Sequence, residues 1–262
     1  MTQTPLDAAL SAMEASPEDE TKRLRFYERL ADGELFLLLA HEASGDSVDP
    51  EVFDLGDARF VLVFDREDRL SQFVGRAAPY AALSGRAVVS MLAGQGIGLG
   101  VNLDVSPASI LLPAEAVDWL AETLTHGPAE EEAQLAEVLA PKGLPEALLT
   151  ALDTKLATAA GFARCAWLAA ARYADGTRGH VLAFAGHVPG AESALARAVN
   201  EALVFSGIEA GALDVLFLRD SDELAARLAR VGLRFDLPQI TAPERLEPVA
   251  PGSDPNRPPI LR

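Results

Sequence analysis

The apolar residues of this chain fall into short runs, and this limits its fold more than any other feature. Leu35 to Ala40 and Val181 to Ala185 are among the longest runs, and both are far shorter than the ~18 residues that a membrane-spanning helix needs. A short run bounded by turn residues is typical of a buried β-strand. Other segments carry apolar residues at helical spacing, so we expect a globular mixture of strands and helices.

Residues 1–126 are predicted to form one domain. Pro5 begins a helix, because proline is tolerated in the first turn, where its missing N–H costs least. Phe60 to Phe64 is rich in β-branched and aromatic residues, which predicts a central strand. Leu70 to Phe73 follows the polar turn Asp65 to Asp68, and we expect it to form an antiparallel strand of a meander.

A linker and a second unit follow. Residues 127–143 contain Gly127-Pro128 and further proline and glycine, which predicts a linker with one helical turn over Ala133 to Leu139. Residues 144–237 predict a helix, a hairpin, a helix, a strand and a helix in that order. Residues 238–262 contain seven prolines and almost no periodic apolar pattern, which predicts an extended and largely disordered tail.

This order of elements indicates the α+β class. Helices that are separated by a hairpin are not typical of one doubly wound parallel sheet. We therefore expect two α/β units with mostly antiparallel or mixed sheets.

The charge of the chain is strongly acidic and unevenly distributed. The formal net charge is −17, from 22 Lys and Arg against 39 Asp and Glu. Residues 1–132 contain 9 basic and 24 acidic side chains, a net charge of −15, and residues 133–262 contain 13 and 15, a net charge of −2. The acids are scattered through predicted loops and helix starts, so solubility explains them. The alternative is a surface that attracts a basic partner to the first domain.

This charge excludes some partners. A pI near 4.6 argues against a protein that binds bulk nucleic acid or is held on anionic lipid by charge. We therefore expect no nucleic-acid and no membrane partner. The first ten residues contain Asp7 and no basic residue, so they do not predict a signal peptide, and we expect a cytoplasmic protein.

A glycine-rich segment invites comparison with phosphate-binding loops. Gly94 to Gly100 reads Gly-Gln-Gly-Ile-Gly-Leu-Gly, whereas a dinucleotide loop needs glycines at relative positions 1, 3 and 6. The sixth position is Leu99 when counted from Gly94 and Val101 when counted from Gly96. We therefore interpret the segment as a tight turn into a glycine-containing strand.

A polar turn follows that strand. Asn102 and Asp104 lie between two predicted strands, and Asx-turn chemistry explains both residues. A ligand-binding turn is the alternative. On that reading, the candidate site consists of Gly96, Gly98, Asn102 and Asp104.

The sequence shows no catalytic or metal-binding motif. No two histidines have the i, i+4 spacing of a zinc site, and a Gly-x-Ser-x-Gly elbow is absent. Cys165 is the single cysteine and lies beside an apolar strand, where a thiol behaves as a small apolar side chain. We therefore expect no catalytic residue, no metal, no cofactor and no enzymatic activity. The four histidines are His41, His126, His180 and His187.

Five core and turn segments of the first domain form a recognisable set: Gly33 to Leu38, Phe60 to Phe64, Ser84 to Arg86, Gly98 to Asn102 and Leu111 to Glu115. Together they resemble the amino-terminal domain of the SseB-like family of bacterial proteins, named for enhanced serine sensitivity. Residues 144–237 are similar to the carboxy-terminal SseB domain. One departure concerns the candidate turn, because the family commonly continues the asparagine with Pro-Gly-Ser, whereas Leu103-Asp104-Val105 follows Asn102 here.

The resemblance implies a cytosolic bacterial protein that is linked to serine tolerance, and it implies no catalytic residues. Together with the absent motifs, it favours a non-enzymatic binding, adaptor or regulatory protein whose partner is another protein with a basic surface that contacts the first domain. The alternative is a sensor of an amino acid or nucleotide, or an enzyme, with a cleft between the domains. A homodimer through an exposed sheet edge is also compatible with the sequence.

Overall fold

The structure is a computed structural model, and it describes residues 3–43, 48–125, 135–207, 213–219 and 222–239. The helices are α1 (Pro5–Glu14), α2 (Glu20–Asp32), α3 (Glu67–Val74), α4 (Gly85–Leu92), α5 (Ala114–Thr125), α6 (Glu146–Thr158), α7 (Glu192–Phe205) and α8 (Glu223–Val231). The strands are β1 (Glu34–Leu38), β2 (Val52–Leu55), β3 (Ala58–Phe64), β4 (Tyr80–Ser84), β5 (Ile97–Val101), β6 (Ile110–Leu112), β7 (Leu135–Leu139), β8 (Cys165–Tyr173), β9 (Arg178–Ala185), β10 (Leu213–Leu218) and β11 (Leu233–Asp236).

The first sheet is mixed and has the strand order β4-β1-β3-β5-β6, with β2 also paired to β3. Strands β3 and β5 are parallel, and the other pairs are antiparallel. In β3, Val61 and Val63 face the core beneath α1, α2, α4 and α5, whereas Leu62 and Phe64 face the core beneath α3. Because β3 is buried on both faces, its sequence is apolar without alternation.

The second sheet has the order β10-β9-β8-β11, and β7 also pairs with β8. Strands β9 and β10 are parallel, and the other pairs are antiparallel. Helices α6 and α7 cover one face with Leu152 and Leu195, and α8 covers the other with Leu228. The helices and the two mixed sheets confirm the predicted α+β class.

One predicted strand is wrong. Leu70 to Phe73 lies within helix α3. Glu67 and Asp68 stand in the first turn, where the helix dipole favours carboxylates. Leu70, Phe73 and Val74 then lie on one helical face and pack against the sheet. The segment reads Leu-Ser-Gln-Phe, and the i, i+3 and i+4 spacing of Leu70, Phe73 and Val74 favours a helix over a strand.

The predicted linker contains a strand. Leu135–Leu139 forms β7, so the helical turn predicted over Ala133 to Leu139 is also wrong. This segment pairs with residues 170–173 of β8, because the open edge of β8 offers its backbone groups hydrogen-bond partners that an isolated helical turn lacks. Residues 126–134 and 240–262, with most of the predicted tail, lie outside the described residues.

Within the part of the chain that the structure describes, no helix is both long enough and apolar enough to cross a membrane.

Candidate functional site

The glycines of the predicted turn occupy a turn and a crowded strand. Gly96 has a φ of +64° in the turn before β5, a conformation that favours glycine. Gly98 lies within β5, and a Cβ built there would be 2.5 Å from the carbonyl oxygen of Leu112 and 2.5 Å from the ring of Phe60. Only a residue without a side chain lets the Phe60 ring and strand β6 approach so closely.

Asn102 and Asp104 both have left-handed backbones, with φ angles of 52° and 60°. The Asn102 side chain is buried, and its Oδ1 accepts a hydrogen bond of 3.1 Å from the backbone N–H of Asp65. The backbone N–H of Asn102 donates to the carbonyl of Val63 at 3.0 Å. Asn102 therefore joins the end of β5 to the end of β3, whereas Asp104 is exposed.

The structure does not bring the predicted site residues together. Gly96 precedes β5 and Asn102 follows it. At ~3.3 Å per residue along a strand, six residues separate these two positions by about 20 Å. Gly96 and Gly98 therefore lie towards one end of the strand, and Asn102 and Asp104 lie at the other.

A buried ionic cluster lies near Asn102. The Arg69 guanidinium donates to Asp7 at 2.9 Å and 2.6 Å and to Asp65 at 2.7 Å. The Ser106 hydroxyl donates to Asp7 at 2.9 Å, and the Thr4 hydroxyl donates to Asp65. These bonds tie α1, α3 and the loop after β5 to one another.

This cluster changes the acidity of Asp7. Burial opposes ionisation of the carboxyl, but hydrogen bonds from Arg69, Thr4 and Ser106 outweigh it and lower the pKa of Asp7 to about 2. Asp7 also completes a capping box with Thr4 at the start of α1. Asp65 and Arg69 stand at i, i+4, a spacing that the sequence displays, but nothing local in the sequence links them to Asp7.

A second ionic cluster joins the two units. Arg86 of α4 makes a bidentate pair with Glu201 of α7, at 2.9 Å and 3.0 Å, and also donates to Asp32 of α2 at 3.0 Å. Lys155 of α6 lies 2.7 Å from Asp32 and 2.7 Å from Glu201. Two of these residues come from each unit, so the cluster bridges the units.

The cluster lies at a packed junction. Phe205 at the end of α7 is buried in the core of the first unit. Lys155 and Glu201 are 4% and 2% exposed. Burial opposes ionisation of Glu201, but Arg86 and Lys155 outweigh it and lower the pKa of this carboxyl. The charges of Asp32, Arg86, Lys155 and Glu201 sum to zero, which is how buried ions are tolerated.

A cavity of about 390 Å³ lies at the same junction. Small residues of α1 and α6 line it, among them Ala12 and Ala147, and Phe205 also contributes. Its charged lining residues are Lys22 and Arg25 of α2 and Glu146 of α6. Ligand pockets occur preferentially at domain interfaces and start at roughly this size.

An aromatic pair of the first unit consists of an exposed tryptophan and a half-buried tyrosine that packs against the core. Trp119 of α5 is 40% exposed, and its ring lies 5.0 Å from that of Tyr27 of α2 in an edge-on arrangement. Glu115, Asp118 and Glu122 of α5 are exposed beside it. We call Trp119, Tyr27 and these three carboxylates the Trp119 face.

The α5 residues of the Trp119 face lie in a stretch of sequence without cations, whereas Tyr27 lies on α2 near Arg23. Residues 87–141 contain no Lys or Arg. The same stretch contains eight carboxylates: Asp104, Glu115, Asp118, Glu122, Glu130, Glu131, Glu132 and Glu137. The excess of carboxylates over cations is therefore greatest around α5. A charge count over the whole first half does not show this local concentration.

The sequence predicts no catalytic thiol and no metal site, and the residues in question are the single cysteine and the histidines. Cys165 is buried in β8. His41 contacts Asp49 at 3.0 Å, and His187 contacts Glu192 at 3.2 Å. Among the described residues, no three His, Cys, Asp or Glu side chains form a group that could hold a metal ion. His126 lies outside the described residues.

The first unit is an α+β domain in which helices cover a mixed sheet. Residues 6–119 match the family model described as SseB protein N-terminal domain. This match covers less than half of the chain and supports an SseB-like family. No curated protein and no solved structure matches the chain. Residues 144–237 lie outside the family match, so their resemblance to the carboxy-terminal SseB domain stays a prediction.

Proposed function

We propose that this chain is a non-enzymatic adaptor whose SseB N-terminal domain binds a basic protein partner on the Trp119 face. The observation that carries the proposal is the exposed Trp119 ring, which lies against half-buried Tyr27 among the carboxylates of α5. Large exposed aromatic residues are enriched at the centres of protein interfaces, with a polar rim around them. Such a partner is of the kind that the charge of the first domain favours.

The charge of α5 supports a cationic partner. Glu115 and Glu122 stand at i−4 and i+3 from Trp119, so they flank it on the helix surface. The partner that fits best presents Arg or Lys around an apolar side chain, and Arg can also stack on the Trp119 ring.

The cellular setting is part of the same proposal. The SseB-like resemblance supports a cytoplasmic adaptor that acts in serine tolerance.

Site-specific photo-crosslinking in cells tests the proposal. A benzophenone amino acid at Thr123, one helical turn from Trp119, is expected to capture a discrete basic protein, and the same group at Ala58 on the β2–β3 hairpin is not. Capture at Ala58 alone would contradict the proposal.

Affinity measurements with the captured protein then test the contacts. Trp119→Ala is expected to weaken binding about 30-fold, since a central aromatic contributes about 2 kcal/mol. Glu115→Gln with Glu122→Gln is expected to weaken it several-fold and to reduce its salt dependence. The matched control, Asp54→Asn with Asp57→Asn, removes the same charge from the β2–β3 hairpin. Equal losses in both pairs would show that only net charge matters.

A further inference from the structure

The cavity between the two units has space because small side chains face one another. Ala9 and Ala12 of α1 and Ala147 and Ala151 of α6 line it. The cavity volume of about 390 Å³ is sufficient for a small molecule. Both units contribute to the lining, so an occupant contacts α1 and α2 of the first unit and α6 and α7 of the second.

The charged lining residues differ between the two sides. Helix α2 contributes Lys22 and Arg25, and α6 contributes Glu146. Arg25 is held in place, because its Nη1 pairs with buried Glu28 and its Nη2 donates to Thr154 of α6 at 3.2 Å. These two bonds use two of the five N–H groups of a guanidinium. An anion in the cavity can therefore bind Arg25 without breaking either bond.

We propose that this cavity binds a small zwitterion of amino-acid or dipeptide size. Its carboxylate lies against Arg25 and beside Lys22, whose Nζ also donates to Ser16 at 2.7 Å and lies 3.5 Å from Asp19. Its ammonium group lies against Glu146, and its side chain packs on the alanines of α1 and α6. A simple anion would be repelled by the carboxylate of Glu146. A simple cation would be repelled by Lys22 and Arg25. A nucleotide lacks a cationic group for Glu146.

This site uses different residues from the Trp119 face: α2 contributes Lys22 and Arg25 to the cavity and Tyr27 to that face. Because it spans both units, a bound zwitterion stabilises their association. A ligand that binds only the folded protein raises its melting temperature.

Thermal melting and titration calorimetry of the full chain test the inference. The probes are the common amino acids and glycine-containing dipeptides at millimolar concentration. The controls are their N-acetyl and amide derivatives, which lack the cation or the anion, and adenosine monophosphate. At least one zwitterion is expected to raise the melting temperature, and its two blocked derivatives are expected to bind at least tenfold more weakly.

Variants locate the binding. Ala147→Phe fills the cavity from an exposed position and is expected to abolish the shift, whereas Ala157→Phe, exposed elsewhere on α6, is expected to retain it. Glu146→Gln is expected to weaken binding of the zwitterion while binding of its N-acetyl derivative is unchanged. The inference is overturned if no zwitterion shifts the wild-type melting temperature, if Ala147→Phe responds like wild type, or if the nucleotide binds in preference.

Discussion

Replacing Lys155 with methionine removes one cation from the ionic cluster at the junction. Methionine keeps most of the length and apolar packing of the lysine stem. The change leaves Asp32, Arg86 and Glu201, whose charges sum to −1. Glu201 keeps its bidentate pair with Arg86, but Asp32 keeps only the single bond of 3.0 Å to Arg86.

The magnitude follows from burial. Removing one partner of a buried ion pair costs roughly 3–5 kcal/mol, because the other ion is left uncompensated. Asp32 and Arg86 are partly exposed, with side-chain exposures of 19% and 37%, so water screens part of the loss. We therefore expect Lys155→Met to lower the free energy of unfolding by about 3 kcal/mol.

A compensating change separates charge from packing. Glu201→Gln in the same chain removes the excess negative charge and leaves Arg86 paired with Asp32. The double variant is expected to be more stable than Lys155→Met alone, since losing both ions of a buried pair costs less than losing one. The difference is the coupling free energy of a double-mutant cycle.

Urea unfolding of single-tryptophan proteins is the assay. Trp119 reports on the first unit and Trp167 on the second, so Trp167→Phe and Trp119→Phe isolate the two signals. In wild type the two transitions are expected to coincide, and in Lys155→Met they are expected to separate, because the bridge between the units is weakened. A Lys155→Met midpoint equal to that of wild type, or a double variant less stable than the single one, would refute the reasoning.

The same cluster predicts a pH dependence, and two further variants test the first unit. The pKa of Glu201 is lowered in the folded protein. Its ionised carboxylate therefore stabilises the fold above the unfolded pKa of about 4.3, and this stabilisation is lost as pH falls through the folded pKa. The free energies of unfolding of wild type and Lys155→Met are therefore expected to converge in acid. Asp7→Asn is expected to cost about 2 kcal/mol at neutral pH. The pKa of Asp7 is about 2 against an ordinary 3.8, so the extra stability of wild type over Asp7→Asn is lost as pH falls from about 4 through 2. If the urea midpoints of the two proteins fall in parallel over this range, the lowered pKa of Asp7 is contradicted. Gly98→Ala is expected to cost about 3 kcal/mol from overpacking, whereas Gly94→Ala, with open space around its Cβ, costs about 1 kcal/mol from its left-handed backbone alone. Equal melting temperatures for the two alanine variants would show that the close approach to Phe60 is unimportant.

Short-range sequence patterns predicted those helices and strands that depend mainly on their own residues. The apolar run Phe60 to Phe64 forms the central strand β3, and the segments that resemble the amino-terminal SseB domain lie within residues 6–119 of the family match. The strand predicted over Leu70 to Phe73 was wrong because this segment reads Leu-Ser-Gln-Phe, and its apolar residues pack at helical spacing on the core beneath α3. Strand β7 was not predicted, because its pairing partner, β8, lies about 30 residues further along the chain.

The candidate sites depended on tertiary structure to different degrees. Gly96, Gly98, Asn102 and Asp104 are close in sequence, yet β5 separates them, because an extended strand carries neighbours apart. Asp7 and Arg69, Tyr27 and Trp119, and the four ions of the junction are distant in sequence and meet only in the fold. The sequence by itself determined the α+β class, the family resemblance and the acidity of the first half, since these reside in composition and short-range periodicity. Only the tertiary structure decided which charges are buried in pairs and which remain on the Trp119 face, because those contacts arise from the packing of whole helices against one another.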